Sequence, residues 1–152
     1  MKRIILLMLL GFIFIPKLQA QTSVGGGLMF YGETALEAKA DFNVSDRISV
    51  SPAIGYFLTD GYTVFMISGA GHYNLGDPES FNYYPLVGLN LISVSASYGG
   101  FSSSASNVGL ELGGGATYSL SDSMKLYGEV KYIGHGVWSN NIGLSIGVYF
   151  SL

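Results

Sequence analysis

Few side chains in this 152-residue sequence could do chemistry, and none is a cysteine. His135 and Ser139 fall within His135-Gly136-Val137-Trp138-Ser139. A nucleophile and its base need hydrogen-bond reach and a third, orienting group. Three residues in a predicted loop separate this pair, so no catalytic residue is expected. His72 has no second histidine or cysteine at ligand spacing, so no metal site is expected either. Gly113-Gly114-Gly115 is not a phosphate cradle, because no helix follows it, and no cofactor is implied. What remains is a group of mixed sign: Glu37, Lys39, Asp41, Glu111, Glu129 and Lys131. Such a group could catalyse, conduct ions, or cross-link an interior, depending on the elements that hold it.

Those elements read as strands. Apolar residues recur with period two, and turn formers punctuate the pattern at regular intervals, which predicts eight strands. The expected spans are 23–31, 36–44, 48–58, 62–74, 83–98, 108–120, 125–133 and 142–152. In the second, Leu36, Ala38, Ala40, Phe42 and Val44 alternate with Glu37, Lys39, Asp41 and Asn43. Pro52 predicts a bulge or a broken ladder in the third, since it cannot donate a backbone hydrogen bond. Asp60-Gly61 predicts a tight hairpin. The runs 99–107 and 134–141 read as loops, and loops on a rigid scaffold are the expected surface for a partner.

The charges fall on one face. In strands two, six and seven the apolar positions are even-numbered, while the six charged residues above are all odd-numbered. A face free of charge thus opposes one that holds carboxylates and ammoniums together, as lipid and lumen faces alternate in a membrane barrel.

Composition supports a second solvent. About half of the residues are hydrophobic and 11% are charged, against roughly a quarter charged in soluble domains. At the start, Lys2 and Arg3 precede the apolar run Ile4–Ile15, and Ala20 follows shortly after. That layout predicts a secretory signal peptide over residues 1–20, too short to span a bilayer comfortably, with a barrel domain over 21–152. Beyond residue 20 there are four basic residues against ten acidic ones, a net charge of about −6. This balance excludes an electrostatic footprint for nucleic acid.

In hydrocarbon an unpaired backbone group costs several kcal/mol, so a sheet there must close. Strand eight, which ends Ser145-Ile146-Gly147-Val148-Tyr149-Phe150-Ser151-Leu152, is therefore expected to pair with strand one. If strand one starts in the periplasm, strands two, four, six and eight end there. The last outward aromatics before those ends are Phe42, Tyr73, Tyr118 and Phe150, as expected of an interfacial girdle. Tyr31, Tyr56, Tyr62, Tyr98 and Trp138 mark the other rim less regularly. Glycines inside strands would let a tight wall bend and leave room for large inward neighbours.

Read together, these patterns resemble the small eight-stranded outer-membrane β-barrels of the OmpA-like and OmpX-like family. Ser145, Gly147, Phe150 and Leu152 resemble that class's C-terminal assembly signal, with Leu152 where an aromatic is commoner. The resemblance implies a Gram-negative outer membrane, contact with its lipids and insertion by the barrel-assembly machinery. Eight strands leave an interior just wide enough for side chains, so the mixed-sign group is expected to form an internal salt-bridge network instead of a wide pore. The expectation is an all-β, up-and-down antiparallel transmembrane barrel with a structural or surface-interaction role. Two alternatives are a small channel or binder for hydrophobic compounds, like the OmpW-type barrels, and a lipid A deacylase. The deacylases carry a motif like His-x-Ser-Asn, from which the spacing of His135 and Ser139 departs.

Overall fold

The computed structural model describes residues 22–77, 79–98, 101–134 and 141–152. The expected signal peptide, the His135–Ser139 pair, Trp138 and most of the 134–141 run lie outside the described residues.

Eight antiparallel strands make one closed barrel in chain order. They are β1 (Thr22–Tyr31), β2 (Glu33–Asn43), β3 (Ile48–Phe57), β4 (Tyr62–Tyr73), β5 (Phe81–Tyr98), β6 (Phe101–Ser121), β7 (Met124–Ile133) and β8 (Ile142–Ser151). Each pairs with its neighbour in sequence, and β8 closes on β1 in a ladder from Ser23↔Ser151 to Phe30↔Leu144. Gly32 and Gly61 take positive φ, 68° and 81°, in the turns after β1 and β3, where a side chain would be strained.

Pro52 breaks its ladder without shifting it. Pairing of β2 with β3 stops after Lys39↔Ala53 and resumes at Phe42↔Val50 in the same register. Even-numbered positions of β3 direct their backbone groups toward β2, so Pro52 stands where an N–H would donate to the Ala40 carbonyl. The Ser51 hydroxyl donates to that carbonyl instead, at 2.8 Å. A part-buried acceptor is thereby satisfied.

The largest departure from the expected strands lies in the serine-rich run. Residues 99–107 read as a loop, yet β6 already begins at Phe101 and pairs without interruption from Tyr98↔Phe101 through Ile92↔Asn107. Period-two contrast needs one apolar face. This run carries Ser104 and Ser106 on its outward side, paired with Ser95 and Ser93 of β5, and Ser103, Ala105 and Asn107 on the other, so it shows no such contrast although its backbone is a regular ladder. The Ser106 hydroxyl donates to that of Ser93 at 3.1 Å. Along β5 and β6 the outward apolar residues end at Leu91 and Val108, which pair with each other, and serine replaces them beyond. The apolar band stops at that rung and the hairpin projects past it.

The outward wall elsewhere carries large apolar residues that are exposed, for example Leu36, Ile54, Ile67, Val87, Leu110 and Val130. Exposure of this kind on every strand would be a liability in water and is what a lipid-facing wall requires.

Candidate functional site

Within the barrel the inward side chains stack in three levels along the axis. Toward the projecting hairpin lies an apolar level, in which Met29, Tyr31, Ala35, Phe57, Val64, Met66, Ile92 and Ile133 form one buried cluster. Tyr31 belongs here. Expected at the outer rim, it is instead fully buried and meets Phe57 edge-on at 6.4 Å between ring centres. The reason is parity: outward residues of β1 are even-numbered, such as Val24, Leu28 and Phe30.

The middle level is charged. Lys39 of β2 reaches Glu129 of β7 at 2.5 Å, although those strands are not neighbours in the wall, so the contact spans the lumen. The Tyr84 hydroxyl, on β5, donates to the same Glu129 oxygen at 3.0 Å. Glu37 accepts from the Tyr127 hydroxyl at 3.0 Å and from the Ser145 hydroxyl at 3.5 Å. Lys131 sits among three carboxylates, with Nζ 3.6 Å from Glu111, 3.8 Å from Glu37 and 3.8 Å from Glu129. Lys39 also lies 5.0 Å from the centre of the Tyr127 ring, a further favourable contact for a desolvated ammonium. Five of the six residues singled out from the sequence are thus buried together: Glu37, Lys39, Glu111, Glu129 and Lys131.

Asp41 is set apart, in the third level at the opposite end. One of its oxygens lies 3.5 Å from His72 Nδ1, and both residues line a polar cavity of about 30 Å³ with Asn43, Asn74 and Lys125. His72 stacks on Tyr84 at 4.3 Å between ring centres. Among the described residues no group of three or more His, Cys, Asp or Glu could hold a metal ion.

Glycine makes the middle level possible. A Cβ on Gly27 would meet the Tyr127 hydroxyl at 2.7 Å, and one on Gly147 would meet it at 2.6 Å. Gly115 likewise leaves space for the Tyr84 ring, which would stand 2.8 Å from a Cβ there. Inward tyrosines therefore lean over strand glycines, a close approach only glycine permits.

The four aromatics expected as a girdle lie within three residues of the ends of their strands. Tyr73, Tyr118 and Phe150 are exposed on the outer wall; Phe42 shares the outward register but is half-buried. Phe81 and Tyr83 stand at the same end of the barrel, both exposed and with ring centres 6.3 Å apart. Phe81 escapes the sequence reading because a run of turn formers precedes Tyr83, where strand five is expected to start. Tyr56 marks the other rim beside Phe65, at 5.0 Å, whereas Tyr62 falls in the inward register of β4. Ser145 and Gly147 point inward, Phe150 points outward, and the Leu152 N–H donates to the Thr22 carbonyl at 2.9 Å.

A closed eight-stranded wall, apolar outside and holding its buried charges within, defines an integral outer-membrane barrel. The chain belongs to the outer membrane protein beta-barrel domain family, whose model matches residues 17–150, and it resides in the outer membrane. No curated protein matches it by sequence. Among solved structures it is similar to the N-terminal β-barrel domain of Pseudomonas aeruginosa OprF, at 14% identity and a TM-score of 0.75, covering 88% of this chain and all of that one. A major outer membrane protein of Thermus thermophilus shares 16% identity at a TM-score of 0.67, with 88% and 99% covered. Neisserial surface protein A shares 16% at 0.62, with 88% and 96% covered. At these identities the likeness is one of fold.

Proposed function

We propose that this protein is a non-enzymatic outer-membrane barrel with a side-chain-filled lumen, serving as a structural element or as a platform for surface interaction. The observation that carries the reading is the contact of Lys39 with Glu129 across the lumen, backed along the axis by the apolar cluster around Met29, Phe57 and Met66. Solute on a path through the barrel would have to displace both. The projecting β5–β6 hairpin is a surface offered to a partner, since it stands clear of the apolar band on a rigid base, and the sequence run 134–141 is proposed as a second contributor. Insertion by the barrel-assembly machinery rests on Ser145, Gly147, Phe150 and Leu152, and export on removal of residues 1–20.

Liposome swelling with the purified protein tests the filled lumen: no faster entry of small sugars than in protein-free liposomes is expected, and brisk entry overturns the reading. The OmpW-like alternative calls for an apolar chamber, whereas the cavities beside His72 and beside Asp122 are lined mainly by polar side chains. The deacylase alternative predicts altered lipid A chains on expression, lost with His135→Ala.

A further inference from the structure

The buried middle level is electrically odd. Glu37, Glu111 and Glu129 supply three carboxylates, Lys39 and Lys131 two ammoniums, and each of the five is at most 6% exposed. Taking an uncompensated charge out of water is expensive, and the cost is met by pairing or by neutralisation. Asp41 and His72 lie outside this group, 3.5 Å from each other at the polar cavity, where the Asp41 side chain is 23% exposed, with His72 Nε2 4.0 Å from Glu129.

The three carboxylates are not equally provided for. Glu129 receives Lys39 and the Tyr84 hydroxyl, and Glu37 receives the Tyr127 and Ser145 hydroxyls. Glu111 is 0% exposed, yet neither of its oxygens has a hydrogen-bond partner among the described residues, and its nearest cation, Lys131, stands at 3.6 Å. An independent sign lies on the adjacent strand. Asn90, inward on β5 and 3% exposed, has neither amide atom partnered, and it is diagonal to Glu111 because Gly88 pairs with Glu111 and Asn90 with Gly109. Two polar side chains at diagonal positions of adjacent strands are thus buried with no hydrogen-bond partner among the described residues.

We propose that the lumen holds one further unit of positive charge, a proton or an alkali cation, on the Glu111 carboxylate beside Asn90. A proton makes Glu111 a hydrogen-bond donor, with the Asn90 carbonyl as its natural acceptor. An alkali cation takes the same oxygens as ligands. Either restores neutrality to the group formed by Glu37 and Lys39 from β2, Glu111 from β6, and Glu129 and Lys131 from β7. The titratable neighbours that complete the surroundings are Tyr84 from β5, Tyr127 from β7 and Tyr149 from β8, with His72 from β4 on the far side of Glu129. This inference rests on the filled-lumen reading, and liposome swelling tests that reading separately.

The test uses the full barrel refolded into phosphatidylcholine vesicles. Glu111→Gln, which keeps the shape and removes the need for a counter-charge, is expected to fold at least as stably as the wild type in urea. Glu129→Gln is expected to lower the folding equilibrium constant about a hundredfold or more. In the proton arm, the infrared carbonyl stretch of a protonated carboxyl group is present at neutral pH and is lost in Glu111→Gln. In the cation arm that band is missing, and wild-type stability depends on whether sodium, potassium or choline is the salt cation, a dependence lost in Glu111→Gln. The inference is overturned if the wild type shows neither signature, if the band persists in Glu111→Gln, or if Glu111→Gln loses as much stability as Glu129→Gln.

Discussion

The lumen contains two interiors that are stabilised in different ways. The apolar level around Met29, Phe57 and Met66 resembles the core of a small soluble domain, where contacts are non-directional and a change of shape costs in proportion to the volume lost. The charged level around Glu129 and Lys131 works by matching. Its members hold each other across the barrel at fixed separations, and removing one leaves its partner as an uncompensated charge. The comparison teaches that an eight-stranded wall can be braced from within by either means, and that the charged level does so by ion pairs that tie β2 to β7, strands on separate parts of the wall, through specific atoms.

The sharpest way to break the comparison is to delete one charge. Lys39→Ala is expected to destabilise the barrel by about 3–5 kcal/mol in urea unfolding, while the double replacement Lys39→Met with Glu129→Leu recovers much of that loss. A double replacement as unstable as Lys39→Ala alone would show that the pair is more than a matched couple. Next in size is Val130→Lys, which places an ammonium in the middle of the outer band. It should cost about 2–4 kcal/mol in a bilayer, whereas Ser104→Lys, outward on the projecting hairpin, should stay within about 0.5 kcal/mol. Equal costs at the two positions would move the edge of the apolar band away from the Leu91 and Val108 rung.

Two smaller changes refine the contrast. Tyr127→Phe removes the donor to Glu37 and is expected to cost about 1–3 kcal/mol for a buried acceptor left short of a partner. Met66→Leu keeps the volume of the apolar level and should cost less than about 1.5 kcal/mol. If Met66→Leu proved the costlier of the two, the apolar level would be the more finely fitted interior.

How far the sequence was readable differs by face. Wherever a strand has one wall in lipid, the contrast between Leu110 or Val130 outside and Glu111 or Lys131 inside is visible as plain alternation. The eight strands and the set of inward charges follow from it. On β6 before Val108, from Ser102 to Asn107, both faces are polar or small, the alternation vanishes, and a regular ladder over residues 101–107 reads as a loop. Tyr31 misleads for a related reason. A tyrosine at a strand end suits an interface as well as a tight interior, and only the parity of β1 decides between them.

By itself, the order of residues determined that one side of each strand must avoid water and that the charges must share the other side, because side chains alternate along an extended backbone. It did not determine which charges meet. Lys39 and Glu129 are ninety positions apart in the chain, and their contact depends on the stagger with which eight strands close, as does the position of Glu111 among them. Closure converts a linear alternation into distances across the lumen, and those distances exist only once β8 has paired with β1.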